Sequence, residues 1–320
     1  MKQEQKDSGK MEMEKVTIVM ATYNGAAYLK SQIDSILTNT YTNWTLEICD
    51  DGSTDETISI IKAYVKTYPE RIFLRQNSQN LGVVRNFLEG ACRASGDYIM
   101  FADQDDVWLP DKIAHTLKKM KETEQGQTDI PAVVFTDAKV VDEKLQEIAP
   151  SFHKISALDT TKTDLAHLLM ENKLIGCTMM FNQAAVKMLY QLPKQARYHD
   201  WWLGLIAASM GKIGYLSEGT LLYRQHGNNE VGTQSFLSYV KARIRSLQAQ
   251  KQSLIENQKQ AAELLEIYQN EKLLSEQAKE ELHIFASLSE KGWISRRKIV
   301  LRHGYLKTGV LRNIGIVLLI

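Results

Sequence analysis

Three carboxylates crowd the end of a hydrophobic run in YIMFADQDDVW, Tyr98 to Trp108: Asp103, Asp105 and Asp106. Like charges this close repel, and each carboxyl group is more easily kept neutral than ionised beside the others. A cation resolves the conflict. Asp103 and Asp105 have the D-x-D spacing that puts two carboxylates on one side of an extended segment. Hard divalent ions such as Mg2+ or Mn2+ take one or two carboxylates and complete their shell with substrate phosphates. A single D-x-D is weak evidence, because most are solvated loops. Without a cation the loop is expected to be loosely ordered, and Arg85 and Arg93 read as helix-surface residues. Nothing demands Asp106 on a metal; it reads as a brace before Trp108.

Two other strand-like runs end in the same way. VTIVMA (Val16 to Ala21) leads into ATYNG, and WTLEICD (Trp44 to Asp50) leads into DGSTD. Ligands of an open parallel sheet bind beyond the carboxyl ends of its strands, so these endings would converge on one edge. Taken alone, DDGSTD is also a turn followed by a helix cap, with Asp50 and Asp51 as turn residues and Ser53 or Thr54 as the cap.

Later candidates are each balanced by a plainer reading. In RYHDWWLGLI, Asp200 opens a predicted helix and is either an N-cap or a general base. As a carboxylate of ordinary pKa near 4 it would be a weak base, with late proton transfer. Trp201 and Trp202 are either core or an aromatic face for an acceptor sugar. In YRQHGNN, His226 is an ordinary loop histidine or a third metal ligand, and Arg224 is a candidate contact for a diphosphate. His115, His153 and His167 carry no assignment.

The elements that must position these residues alternate strand with helix. Apolar strands near residues 16–21, 44–50, 71–76 and 97–103 are separated by helical patterns, which specifies an α/β fold with a mostly parallel sheet flanked by helices. AVVFTDAKVVD and GCTMMFN read as strands, HDWWLGLIAASMG as a helix, and GKIGYLSEGTLLYRQH as two short strands about a glycine turn. From Gly232 to Gly292 there is no intervening Gly or Pro. Apolar residues recur there at helical spacing (Val240, Ile244, Leu247, then Leu254, Ala261, Leu265, Tyr268), predicting long helices set apart from the α/β body. Their stripes need a partner, and a homodimer would supply one. The expected organisation is a disordered lead over 1–14, an α/β domain over 15–232, and a helical region over 233–320 with a basic amphipathic tail.

Composition narrows the class. The chain has 320 residues, 44% hydrophobic, with a net charge of +1 that points to no nucleic acid. Residues 291–320 hold seven basic and no acidic side chains, leaving the rest at −6. Such a tail suits an anionic membrane surface, or else packs on the body with its basic face in water. Cys49, Cys92 and Cys177 form no C-x-x-C pair, as expected of a reduced cytoplasmic protein. The polar N-terminus is no signal peptide, and no run reaches the roughly 18 apolar residues of a membrane span. These features place the chain in the cytoplasm, peripheral on the inner face of the cell membrane. No G-x-G-x-x-G follows the first strand, which argues against a dinucleotide dehydrogenase.

Residues 16–226 resemble glycosyltransferase family 2, whose members share the nucleotide-sugar-binding GT-A fold. The likeness rests on VTIVMATYNGAAYLKSQIDSIL, DDGSTDET, NLGVVRNF, SGDYIMFADQDDVW and HDWW. It implies that Ala21, Thr22 and Tyr23 hold the nucleobase, with Tyr23 stacking on the pyrimidine, and that Asp51 binds the base edge. It implies Asp103 at the ribose and metal, Asp105 on the metal, His226 as a further ligand, and Asp200 as the base of an inverting displacement. FADQDDVW, HDWW and YRQHGNN look most like bacterial rhamnosyltransferases of cell-wall or capsular polysaccharide. That implies dTDP-β-L-rhamnose as donor and a lipid-linked glycan as acceptor. The alternatives are a UDP-hexose or UDP-N-acetylhexosamine transferase, or a non-catalytic nucleotide-sugar-binding scaffold.

Overall fold

The structure is a computed structural model that describes residues 13–226 and 247–320. Its first half alternates β1 (Val16–Thr22), α1 (Ala26–Leu37), β2 (Trp44–Asp50), α2 (Thr57–Thr67), β3 (Ile72–Gln76), α3 (Val83–Arg93) and β4 (Tyr98–Ala102). These strands form the parallel block β3-β2-β1-β4 expected from the alternation. β1 and β4 are apolar on both faces because helices cover both. Val19, Phe87 of α3 and Phe101 pack on one side, and Ile18, Met20, Leu29 and Ile33 of α1 with Met100 on the other. Thr22 lies opposite Asp50, and Met20 opposite Ala102, so β1, β2 and β4 finish at one edge.

The sheet then continues through β5 (Val107–Trp108), α4 (Lys112–Glu124), β6 (Ala132–Val141), β7 (Glu147–Ala149), α5 (Phe152–Ile155), α6 (Leu165–Met170), β8 (Met180–Asn182), α7 (Gln183–Lys187), α8 (His199–Met210) and β9 (Lys212–Arg224). β8 runs antiparallel to both β4 and β6, β6 and β9 are parallel, and the whole makes nine strands with β7 on the side of β6. Three expectations change. GKIGYLSEGTLLYRQH is one strand: the register jumps from Thr136–Leu216 to Asp137–Gly219, so Ser217 and Glu218 are bulged out and the chain bends without turning back. GCTMMFN opens with a 3-10 turn, Gly176–Thr178, before β8. Ser53 and Thr54 do not cap α2, which starts at Thr57; its amide donates to Asp55 Oδ1 at 3.0 Å.

The C-terminal part forms α9 (Leu247–Tyr268), α10 (Glu276–Ala286), α11 (Trp293–His303) and α12 (Val310–Leu319). Rather than standing apart, these helices share the core of the body. Ala261, Leu264, Tyr268, Leu282 and Phe285 are fully buried in the same cluster as Phe101 and Trp202. Tyr268 donates its hydroxyl to the Met188 carbonyl at 2.6 Å, and Asn257 Nδ2 donates to the Leu169 carbonyl at 3.0 Å. The body is therefore the partner that the α9 stripe required. The boundary expected at 232/233, and the stripe positions Val240 and Ile244, lie outside the described residues.

One shared core predicts one unfolding event. Leu264→Ala should destabilise the protein by about 2–5 kcal/mol, and circular dichroism and tryptophan fluorescence should report the same shifted midpoint on heating. Two separated transitions would show the C-terminal helices to be an independent unit.

Candidate functional site

The loop after β2 is organised by Asp50. Its Oδ1 accepts from the Gly52 and Ser53 amides at 3.1 and 2.9 Å, and its Oδ2 from the Thr22 and Ser53 hydroxyls at 3.0 and 2.5 Å. Asp50 thus ties the ends of β1 and β2 together. Asp51, also buried, reaches the other way. Its Oδ1 accepts from the Leu81 amide at 2.8 Å and Asn77 Nδ2 at 2.9 Å, and its Oδ2 from the Gly82 amide at 2.8 Å. A carboxylate has about four acceptor positions, so a contact from Asp51 to a base edge would use the remaining one on Oδ2.

Tyr23, just past β1, is 51% exposed, whereas Thr22 is buried and Ala21 half-buried. The backbone of Tyr23 is read by Gln104. The Tyr23 amide donates to Gln104 Oε1 at 2.9 Å, and Gln104 Nε2 donates to the Tyr23 carbonyl at 3.1 Å. The residue between the two aspartates therefore fastens the loop after β1 to the acidic loop. Gly25 makes room for this clamp, since a Cβ there would overlap the Gln104 carboxamide.

The acidic loop is also held from below. Gln32 Nε2 donates to the Asp103 carbonyl at 2.9 Å, Arg224 Nε to the Asp105 carbonyl at 2.8 Å, and the Arg224 amide to Asp106 Oδ1 at 3.2 Å. The expectation of a loose loop is corrected: neutral and cationic donors clamp its backbone while the side chains of Asp103 and Asp105 remain half-buried. Arg224 is corrected with it. The residue is 5% exposed, and its guanidinium also donates to the Glu143 carbonyl at 2.7 Å and the Ser31 hydroxyl at 3.0 Å. It braces the loop from the interior. Arg85 and Arg93 pair with Glu89 along α3.

His226 meets the loop directly. Its Nε2 lies 2.8 Å from Asp105 Oδ2, and its ring stacks on Tyr28 with centroids 4.6 Å apart. Two carboxylates suit Mg2+, and an imidazole beside them suits Mn2+ better. Among the described residues, however, the group whose ligand atoms all lie within 4.8 Å of one another is Asp103, Asp106 and Cys177, not Asp103, Asp105 and His226. Burial, then the charges of Asp105 and Asp103, hold the Asp106 carboxyl well above the usual range. Burial, then the charge of Asp106, does the same to the Cys177 thiol. A thiol that keeps its proton is a poor partner for a hard cation. Cys177 instead sits in the buried interior with its Sγ within 4.8 Å of an Asp106 carboxylate oxygen.

The 3-10 turn Gly176–Thr178 packs against the start of α8: a Cβ on Gly176 would lie 2.5 Å from His199 Nε2, and the His199 ring meets Phe101 of β4 edge-on with centroids 5.0 Å apart. Asp200 lies in the first turn of α8; the residue before the helix is Tyr198, so Asp200 is not its N-cap. Its Oδ1 accepts from Asn172 Nδ2 at 3.0 Å and the Trp201 amide at 2.6 Å. It is 8% exposed, and burial outweighs these donors and pushes its pKa up to about 7. The expected value near 4 is corrected, and with it the expectation of a weak base. The tryptophans are corrected too. Trp201 is buried with its Nε1 donating to the Leu168 carbonyl at 2.6 Å, and Trp202 is fully buried beside Tyr268. Both belong to the core, so neither presents a face to an acceptor sugar.

Sequence reasoning missed Gln104, Gln32 and Asn172. The place of Gln104 between the two aspartates was a usable signal; nothing local marked the others.

A sequence model of the family described as Glycosyl transferase family 2 matches residues 17–188. The chain is 28% identical over 225 residues to the dTDP-rhamnosyl transferase RfbG of Shigella flexneri, covering 67% of this chain and 73% of that one. It is 30% identical over 219 residues to TuaG of Bacillus subtilis, named as a glycosyltransferase of teichuronic acid biosynthesis, covering 67% and 80%. Among solved structures, the mannosyltransferase PcManGT from Pyrobaculum calidifontis, in complex with GDP-Man and Mn2+, has the same fold. Its TM-score is 0.54 at 17% identity, over 92% of this chain and 80% of that one.

The Gln104 clamp is open to test. Gln104→Ala should weaken nucleotide binding about 5–20-fold, equivalent to roughly 1–2 kcal/mol for two lost hydrogen bonds, with little change in melting temperature. Calorimetry showing wild-type affinity would remove the clamp from the binding machinery.

Proposed function

The chain belongs to glycosyl transferase family 2 and has the GT-A fold, and from this premise we propose an inverting, metal-dependent transferase. It moves L-rhamnose from dTDP-β-L-rhamnose to a lipid-linked glycan in the synthesis of a bacterial surface polysaccharide. The observation that carries the transferase reading is a buried carboxylate of raised pKa, Asp200, next to His199, whose ring packs on Phe101 of the strand that leads into the acidic loop at the sheet edge. The rhamnosyl donor rests on likeness to the Shigella flexneri enzyme, and the polymer on the name of the Bacillus subtilis relative.

Tyr23 offers an exposed ring for the base, and Asp51 its remaining acceptor position. Asp103, Asp105 and His226 would hold the cation, which when bound offsets the negative charge growing on the departing nucleoside diphosphate. Asp200 accepts the proton of the acceptor hydroxyl as that oxygen attacks the anomeric carbon. A carboxylate with a pKa of about 7 is far better matched to this task near neutral pH than an ordinary one.

The tail extends the proposal to the membrane. Among the described residues no helix is long and apolar enough to cross a bilayer. Yet α11 exposes Trp293, Ile294 and Leu301, and α12 exposes Val310, Leu311, Ile314 and Leu318, in a segment rich in Arg and Lys. This combination fits adsorption to an anionic interface, where the acceptor lipid resides.

Asp200→Asn should abolish transfer while nucleotide affinity stays within about twofold of wild type. The wild-type rate should fall on acidification through about pH 7, as Asp200 takes up its proton. Because the folded state raises this pKa, ionising Asp200 removes stability as the pH rises from about 4, the ordinary carboxylate value, to about 7. The Asn variant should therefore be no less stable than wild type at pH 8. An Asn variant that retains most of the rate would refute the base. Asp105→Ala should eliminate the dependence of nucleotide binding on Mg2+ or Mn2+ in calorimetry. Turnover of a panel of nucleotide sugars decides the donor, and preference for a UDP-sugar would overturn the rhamnosyl reading. Replacing Trp293, Leu301 and Leu311 together by Ser should reduce sedimentation with anionic liposomes at least tenfold; unchanged sedimentation would refute membrane contact through the tail.

A further inference from the structure

The support of Asp200 leads away from the sheet edge and into the C-terminal segment. Asn172 donates Nδ2 to Asp200 Oδ1 at 3.0 Å, and its own Oδ1 accepts from the Leu174 amide at 3.1 Å, which fixes the orientation of the carboxamide. Its neighbours on both sides are pinned at long range. Glu171 is 6% exposed and accepts from Arg312 at 2.9 Å and from the Thr308 amide at 2.9 Å. Arg312 also donates to the Ser156 carbonyl at 3.2 Å, and the Thr308 hydroxyl accepts from the Asp159 amide at 3.0 Å. On the other side, Lys173 donates to the Lys162 carbonyl at 2.7 Å, and its carbonyl lies 3.0 Å from His153 Nε2.

We infer that Asn172 is a positioning residue for Asp200, and that the Glu171–Arg312 pair makes the start of α12 part of that support. The inference rests on the reading of Asp200 as the base. Two physical facts carry it. A buried carboxylate that loses its guanidinium is left as an uncompensated charge, so the Glu171 segment must shift if Arg312 is removed. Because a general base must stay within hydrogen-bond reach of the proton it takes, a displacement of about 1 Å can cost about 100-fold in rate. Asn172, with no charge of its own, transmits the one to the other.

The other ionisable groups around α8 are accounted for. On α6 His167 pairs with Asp164, on α3 Arg85 and Arg93 pair with Glu89, and on β6 Asp137 pairs with His153. On β9 Glu218 pairs with His115, Lys212 donates to the Glu124 carbonyl, and Arg224 braces the acidic loop. Lys139 on β6 is half-buried, and Lys187 on α7 is exposed. His199, beside Asp200, stacks on Phe87, and burial lowers its pKa to about 3, so it stays neutral through the relevant range.

The test is the pH–rate profile of the full chain with dTDP-β-L-rhamnose. Asn172→Ala should lower kcat about 10–100-fold with KM for the donor within about twofold. It should also move the acid limb to higher pH by about half a unit to one unit, because a donor that favours the ionised carboxylate has been removed. Arg312→Ala should move the limb the same way, and Arg312→Lys should recover most of the rate. If Arg312→Ala does not fold, Glu171→Gln reads the same limb. An acid limb unmoved in Asn172→Ala overturns the positioning role, and one unmoved in the Arg312 or Glu171 variant overturns the part of the C-terminal segment. Asp200→Asn separates the two levels. If it is active, the base assignment fails; if it is inactive while Asn172→Ala keeps the wild-type limb, the positioning inference alone fails.

Discussion

Negative charge gathered at one edge of the sheet is the constraint to which most of the surrounding structure answers. Six aspartates belong to this region, Asp103 among them, and their neighbours accommodate them in different ways. Asp50 and Asp51 are surrounded by amide and hydroxyl donors. Asp106 and Asp200 are buried deeply enough that their protons are held more tightly than in water. Asp105 faces an imidazole. The acidic loop is held by Gln32 and Arg224, which donate to the Asp103 and Asp105 carbonyls, by the Arg224 amide on Asp106 Oδ1, and by the Gln104 side chain, which grips the Tyr23 backbone. A loop fixed in this way keeps the Asp103 and Asp105 side chains half-buried at the sheet edge.

The part of the fold that sequence made legible is the part where periodicity is strong. β1, β2 and β4 are continuous apolar runs, and α1 to α3 bury single stripes, so the parallel block and the shared edge of Asp51, Asp103 and Asp105 follow from pattern alone. The misreadings share a cause: sequence spacing does not say where a side chain points once the chain bends. Trp201 and Trp202 follow a candidate base directly, yet both turn into the core. Arg224 follows a strand end as a diphosphate ligand would, but it points inward under the loop. β9 was divided because Gly219 looked like a turn, whereas a two-residue bulge keeps the ladder going. The raised pKa of Asp200 depends on burial by α6, α8 and the Gly176 turn, elements brought together only by tertiary packing.

Packing also revises how the chain divides. The long C-terminal helices have the composition of an appendage, but their apolar residues complete the core beneath α8 and α6. Asn257 illustrates the integration: it donates to Leu169 and Met170 at the end of α6 and accepts from Arg197 just before α8. The helices thus fill the space behind the carboxylate that the proposed chemistry requires.

That arrangement bears on modularity. The family match closes at residue 188, ahead of Asp200 and His226, and the core crosses that limit without a seam. Recombination between related transferases at the edge of the recognisable segment would divide a single packing unit and leave apolar surface uncovered on both pieces. Inheritance of a new specificity by exchange of parts is thereby discouraged.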